Sequence, residues 1–128
     1  MSLDRDGRND LHHSASRGDM KGLEVALEAE QDPNLADKQG YTPLHFAAQQ
    51  GRLEVARRLI AVGAVVDARD RFGNTPLWRA TFGNGAIPEL VRLLLAAGAD
   101  PDAENASGKS PRTMARTFNR PGVIELFQ

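Results

Sequence analysis

The chain has 128 residues, one domain's worth, and a hydrophobic fraction of 41% that permits a real core and argues against wholesale disorder. Its 16 basic and 17 acidic residues leave a formal net charge of −1, and no run of five bases occurs, so the electrostatic footprint of a nucleic-acid binder is missing. There is no cysteine, which excludes disulfides, thiolate chemistry and cysteine-held zinc.

The opening stretch, MSLDRDGRND, is polar and charged and does not read as a leader peptide. Residues 1–36 carry eight acids and four bases, and residues 37–128 carry nine acids and twelve bases, a mild gradient typical of solvated surface. The first helical pattern holds Leu11, His12 and Ala15 and stops at Gly18. A second follows through Leu23, Val25, Ala26 and Leu27 and ends near Gln31 without a glycine. Asp32-Pro33-Asn34 then marks a loop.

Gly40 to Gly51, GYTPLHFAAQQG, is the clearest element. Thr42 is an N-cap, with an oxygen placed to accept from a free amide of the first turn. Pro43 stands at the first helical position, where its missing amide hydrogen costs nothing. Leu44, Ala47 and Ala48 form a face small enough for another backbone to approach closely. The next helix places Leu53, Val55, Ala56, Leu59 and Ile60 at three- and four-residue intervals, with Arg52, Glu54, Arg57 and Arg58 between them, and Gly63 stops it. Val65-Val66-Asp67 follows as a loop.

Gly40-x-Thr42-Pro43-Leu44-His45 returns 33 residues later as Gly73-x-Thr75-Pro76-Leu77-Trp78. A lengthened connection, Gly83-Asn84-Gly85-Ala86, leads to Leu90, Val91, Leu93, Leu94 and Leu95 and to a stop at Gly98. The run LVRLLLAAGA is the longest apolar one, is interrupted by Arg92 and falls short of a membrane span. After Asp100-Pro101-Asp102 the motif recurs, weakened and 35 residues on, as Gly108-x-Ser110-Pro111, and the second helix of this last unit, 121–128, is truncated. Each unit is thus turn, short helix, tight connection, longer helix and extended loop. Neither helix is long enough to stand alone in water, so units must stack into a solenoid.

The segments DKQGYTPLHFAAQQGRLEVARRLIAVGAVVDARD and DRFGNTPLWRATFGNGAIPELVRLLLAAGADPDAEN closely resemble ankyrin repeats. The resemblance implies an all-α ankyrin-repeat solenoid of stacked helix-turn-helix units with β-turn tips. It would form a single domain over 1–128, with repeats at about 4–36, 37–69, 70–104 and 105–128 and the first and last acting as caps. Departures fall in those end units: Asn9 and Asp10 replace Thr-Pro, and Arg112 stands where leucine is usual.

Few residues invite a chemical role. His12 and His45 occupy equivalent repeat positions, and in the family this histidine makes structural hydrogen bonds to neighbouring loops. His13 beside His12 lacks the i, i+4 spacing of a helical zinc site. Asp10, His12 and Ser14 suggest a triad only by proximity, and residues i and i+2 of one helix point apart. Glu28 and Glu30 read as solvated, and Gly83-Asn84-Gly85 lacks the strand and lysine of a phosphate loop. No catalytic residue, metal or cofactor is expected.

In the ankyrin family the binding surface is made by turn tips and outward residues of the first helices. Carried over, this gives Lys38, Gln39, Tyr41 and Gln49 from the second unit. The third gives Arg71, Phe72, Asn74, Trp78, Arg79 and Phe82, and the fourth gives Lys109. Arg5, Asp6, Arg8, Phe46, Gln50, Ser107, Met114 and Phe118 share that surface, Phe46 as a packing residue and Trp78 as either packing or contact. Six of the seven aromatics lie in turn or first-helix segments, and aromatics with arginine are the residues enriched in binding hot spots. The expectation is a non-enzymatic, cytoplasmic protein-binding module, monomeric when free, with no nucleic-acid or membrane partner. Its partner would be a toxin, effector or enzyme. Because little of the chain lies outside the repeats, and because it resembles small bacterial ankyrin proteins, an inhibitor or immunity protein is the specific expectation. The alternatives are a self-assembling scaffold or adaptor, or a protein like the four-repeat kinase inhibitors.

Overall fold

A computed structural model describes residues 3–82 and 87–127, so the expected connection at Gly83-Asn84-Gly85-Ala86 lies outside the described residues. Among the described residues seven α-helices follow one another: α1 (Asp10–Arg17), α2 (Met20–Glu28), α3 (Pro43–Gln50), α4 (Leu53–Ala61), α5 (Pro76–Phe82), α6 (Pro88–Ala96) and α7 (Pro111–Phe118). A 3₁₀ turn, Ile124–Phe127, ends the described chain. The short helices α1, α3, α5 and α7 pack side by side in an inner layer, while α2, α4, α6 and the 3₁₀ turn form an outer one.

The helix starts follow from side-chain chemistry. Thr42 caps α3 by accepting from the His45 amide, and His45 Nδ1 accepts in return from the Thr42 amide, so two orphan amides are satisfied at once. Asn9 and His12 build the same reciprocal cap on α1. The replacement of Thr-Pro in the first unit therefore keeps the cap. Asp10 is held by an exchange of two hydrogen bonds with Gln31, at 2.9 and 2.8 Å.

The inner layer is close-packed because its facing residues are small or recur in register. Leu11, Leu44 and Leu77 are fully buried, and Ala15, Ala47, Ala48, Ala80 and Ala115 fill the space between helices. From the outer layer come Leu23 and Ala26, then Val55, Ala56 and Leu59, then Leu90, Val91 and Leu94. Val25 departs from its helical pattern and is 60% exposed. The outer helices α4 and α6 end two residues before Gly63 (φ +96°) and Gly98 (φ +97°). At the equivalent place after α2 the chain makes the same left-handed turn with Glu30 (φ 61°), without a glycine to ease it. In the last unit Arg112 binds the Asp102 carboxylate at 2.7 Å and the Phe127 carbonyl, tying helix, loop and 3₁₀ turn together where leucine would only pack.

Candidate functional site: the turn tips and the inner-helix face

Each tip is organised by one carboxylate or amide. Asp4, Asp37, Asp70 and Asn105 recur at intervals of 33, 33 and 35 residues. In every case Oδ1 accepts the backbone amides two and four residues on, at 2.8–3.0 Å. The carbonyl of the same residue accepts from the glycine that closes the turn, Gly7, Gly40, Gly73 or Gly108. These donated hydrogen bonds hold the Asp4 carboxyl below the usual carboxylate range. Adjacent tips are then stitched together: the amides of Lys38, Arg71 and Ala106 donate to the carbonyls of Asp6, Gln39 and Phe72 at 2.8–2.9 Å. Gly40 is obligatory here, because a Cβ would meet the Arg71 amide nitrogen at 2.8 Å.

Behind the tips runs a ladder of histidines. His12 Nε2 donates to the Tyr41 carbonyl at 2.9 Å and His45 Nε2 to the Asn74 carbonyl at 2.8 Å. With Nδ1 already accepting a backbone amide, each ring is fixed as the Nε2–H tautomer, and both are 1% exposed. Burial pushes both imidazoles below their ordinary value, only partly offset by the carbonyls they bind. Both ring nitrogens of His12 are therefore occupied, and no Asp10–His12–Ser14 relay exists. The third rung is Trp78, and its buried Nε1 has no hydrogen-bond partner. His13 lies half-exposed against Asp4, Nε2 to Oδ2 2.8 Å.

The inner-helix face carries an alternating arginine–aromatic ridge. Arg8 lies over Phe46 (4.9 Å to the ring centre), Phe46 packs on Tyr41 (5.5 Å), and Arg79 lies over both Tyr41 (5.0 Å) and Trp78 (5.5 Å). Trp78 then meets Phe82 at 5.0 Å, and Phe82 meets Phe118 at 5.2 Å. Buried carboxylates neutralise the two arginines: Asp37 accepts from Arg8 Nε at 3.0 Å, and Asp70 from Arg79 Nη2 at 2.8 Å. Arg79 also donates to the Tyr41 hydroxyl at 2.9 Å. The ridge draws a residue from each of the four units, and its open end is the exposed pair Phe82 (39%) and Phe118 (43%).

The residues expected at the surface fall into two groups. Lys38, Arg71, Phe72, Phe82 and Lys109 are exposed, and Gln39, Tyr41 and Gln49 are partly so. Arg71 brings two of them together, donating to Gln39 Oε1 at 2.6 Å with its guanidinium 5.2 Å from the Phe72 ring centre. Asn74 and Trp78, by contrast, are buried. The Asn74 carbonyl takes the His45 rung and its side chain accepts from Asn105 Nδ2 at 2.8 Å, while Trp78 packs between Arg79 and Phe82. Arg79, mostly covered, is committed to Asp70 and Tyr41 and stiffens the ridge. Phe46 is partly buried against the core, in line with a packing role. The turn residues Asp37 and Asp70 were missed, although their 33-residue spacing was the available signal.

Among the described residues no cluster of three or more histidine or acidic side chains is placed to hold a metal, and no helix is long and apolar enough to cross a membrane. A hollow of about 350 Å³ lies on the outer helices between Glu24, Leu27 and the Arg58 guanidinium, in the other layer from the ridge.

Stacked hairpins with stitched tips and a continuous side-chain ridge define a repeat-built recognition scaffold. The family model described as ankyrin repeats, in three copies, matches residues 11–105, and the chain belongs to the ankyrin-repeat family, whose repeats bind other proteins. It is 33% identical over 124 residues to the E3 ubiquitin-protein ligase KEG of Arabidopsis thaliana, covering 94% of this chain and 8% of that protein. Over 89 residues it is 39% identical to human Protein phosphatase 1 regulatory subunit 27, covering 70% of this chain and 56% of that one. Over 96 residues it is 36% identical to human B-cell lymphoma 3 protein, covering 72% and 21%. The chain spans 8% to 56% of the length of these three relatives.

Proposed function

We propose that this chain is a non-enzymatic binding module, one domain of four repeats with capping end units. It holds another protein across its second and third units and acts by occupying that partner, as an inhibitor or immunity protein does. The partner is a toxin, effector or enzyme, and the free chain is a cytoplasmic monomer. The single observation carrying this reading is the exposed, preformed cluster of Gln39, Arg71 and Phe72 set on hydrogen-bonded tips beside the ridge. A contact surface ordered before binding loses little entropy on docking, and arginine with aromatics is the usual hot-spot chemistry.

The test is affinity capture with mass spectrometry, comparing the chain with an Arg71→Ala, Phe72→Ala double variant. Both side chains are exposed, so the variant should keep its helicity and melting temperature and lose the captured partner. Undiminished capture by a folded variant would place binding elsewhere.

A second reading, self-assembly, draws on the exposed Phe82–Phe118 pair, an apolar contact. Light scattering decides it: a mass independent of concentration leaves a monomer, and Phe118→Ser should matter only if copies associate.

A further inference from the structure

We infer that the partner presents an extended acidic segment to the turn tips, with a carboxylate at about every third residue; this rests on the binding face proposed above. Every turn carries an exposed base: Arg5 in the first, Lys38 in the second, Arg71 in the third and Lys109 in the fourth. None of these four takes part in a salt bridge among the described residues, whereas Arg8, Arg57, Arg58, Arg79 and Arg112 all do. Most acids that share the tips are already committed, the exception being Glu104, exposed with its carboxylate beside Gly108 of the fourth turn. Asp37 and Asp70 are fully covered and spend their oxygens on turn amides and an arginine, and Asp6 pairs with Arg8 at 3.6 Å. Asp4 caps its own turn and holds His13. The tip edge therefore carries a row of exposed bases outside salt bridges, densest at Lys38 and Arg71, on a molecule whose net charge is −1.

That contrast selects the partner's chemistry. A polyanion such as nucleic acid is drawn by many bases acting together, and a net charge of −1 offers no such pull. A protein segment with local carboxylates answers the row instead. Neighbouring inner helices pack about 8–10 Å apart, which sets the interval between bases. An extended chain advances about 3.3 Å per residue, so one acid in about three meets each tip in turn. Phe72, 50% exposed beside Arg71, supplies a place for one apolar side chain within the same segment.

The experiment is selection of random dodecapeptides displayed on phage against the intact, immobilised chain, followed by fluorescence anisotropy on the leading sequences as synthetic peptides. The inference expects enrichment of Asp and Glu at about three-residue spacing. It expects affinity that weakens about tenfold as salt is raised well past physiological strength, and a loss at least as large in a Lys38→Glu, Arg71→Glu variant. Neutral or basic winners, no enrichment, or acidic winners indifferent to the charge reversal would overturn it. Winners that are not acidic but are lost on Phe72→Ala would overturn the acidic partner while keeping the docking face. Winners untouched by either variant would remove both. Cosedimentation with phosphatidylserine vesicles that is abolished by the same reversal would assign the row to a membrane surface and also overturn it.

Discussion

Replacing His45 by alanine tests whether the histidine ladder carries the stacking. The ring is 1% exposed, takes the Thr42 amide on Nδ1 at 3.1 Å and gives Nε2–H to the Asn74 carbonyl at 2.8 Å. Alanine removes both bonds, strands the buried Thr42 amide at a cost of about 1–3 kcal/mol, and takes from the Asn74 carbonyl one of its two donors, the Asp70 amide remaining. The cap on α3 loses one arm as well, and a small cavity opens beside Tyr41, whose ring centre is 5.9 Å from the imidazole. A loss of about 3–4 kcal/mol follows, which for a domain of this size lowers the melting temperature by about 10–15 °C. Thermal and urea melts followed by far-ultraviolet circular dichroism measure it. A loss under about 1 kcal/mol would mean that water replaces both partners and that the ladder holds nothing.

Acid should loosen the fold in the window where those histidines would charge. Both are pushed below 6.5 in the folded chain, so stability is full above about pH 6.5 and falls as the unfolded chain takes up protons the folded one refuses, by up to about 1.4 kcal/mol per pH unit for each; a melting temperature flat from pH 7 to 5 would contradict this. Glu30→Gly should stabilise by about 1 kcal/mol, since it relieves a left-handed turn that Gly63 and Gly98 make freely, and an unchanged urea midpoint would refute it. Asp70→Asn should keep the turn, as Asn105 does in the last unit, yet cost about 3 kcal/mol by leaving Arg79 without its buried counter-charge; a near-native melt would show that Arg79 reaches solvent. Trp78→Phe should fall within about 1 kcal/mol of the parent, because the indole nitrogen it removes is already unsatisfied, and a large loss would reveal a hidden partner for Nε1.

The repeat was legible because its signals are local. Thr42-Pro43, the glycine stops and the Leu11–Leu44–Leu77 register each act within a turn or two of chain, and their order alone requires stacking. What escaped sequence reasoning depends on neighbours. Asn74 looks like a surface residue beside Phe72, but Asn105 of the next unit closes over it, and Trp78, readable as packing or contact, packs on Phe82 of its own helix. Arg79 reads as a free hot spot until Asp70 and Tyr41 are seen to hold it. Arg112 reads as a lost leucine until its three-way tie is visible. The turn aspartates were legible in principle, since their spacing matches that of the glycines, but a carboxylate in a turn is so common that only its backbone partners reveal its role.

The same carboxylates explain why the tips can be basic at all. A row of bases on neighbouring turns repels itself, and free acids beside them would be the simplest remedy. Here the acids are drawn inward, where Asp37 and Asp70 bind turn amides and neutralise Arg8 and Arg79 of the ridge. The repulsion that remains among Arg5, Lys38, Arg71 and Lys109 acts across exposed, screened distances and is small. It is outweighed by the backbone bonds that stitch each tip to the next. At the second and third tips the carboxylates of Asp37 and Asp70 thus go to rigidity, while Lys38 and Arg71 stay outward. That division, more than any one residue, is what would suit these tips to the acidic segment inferred above.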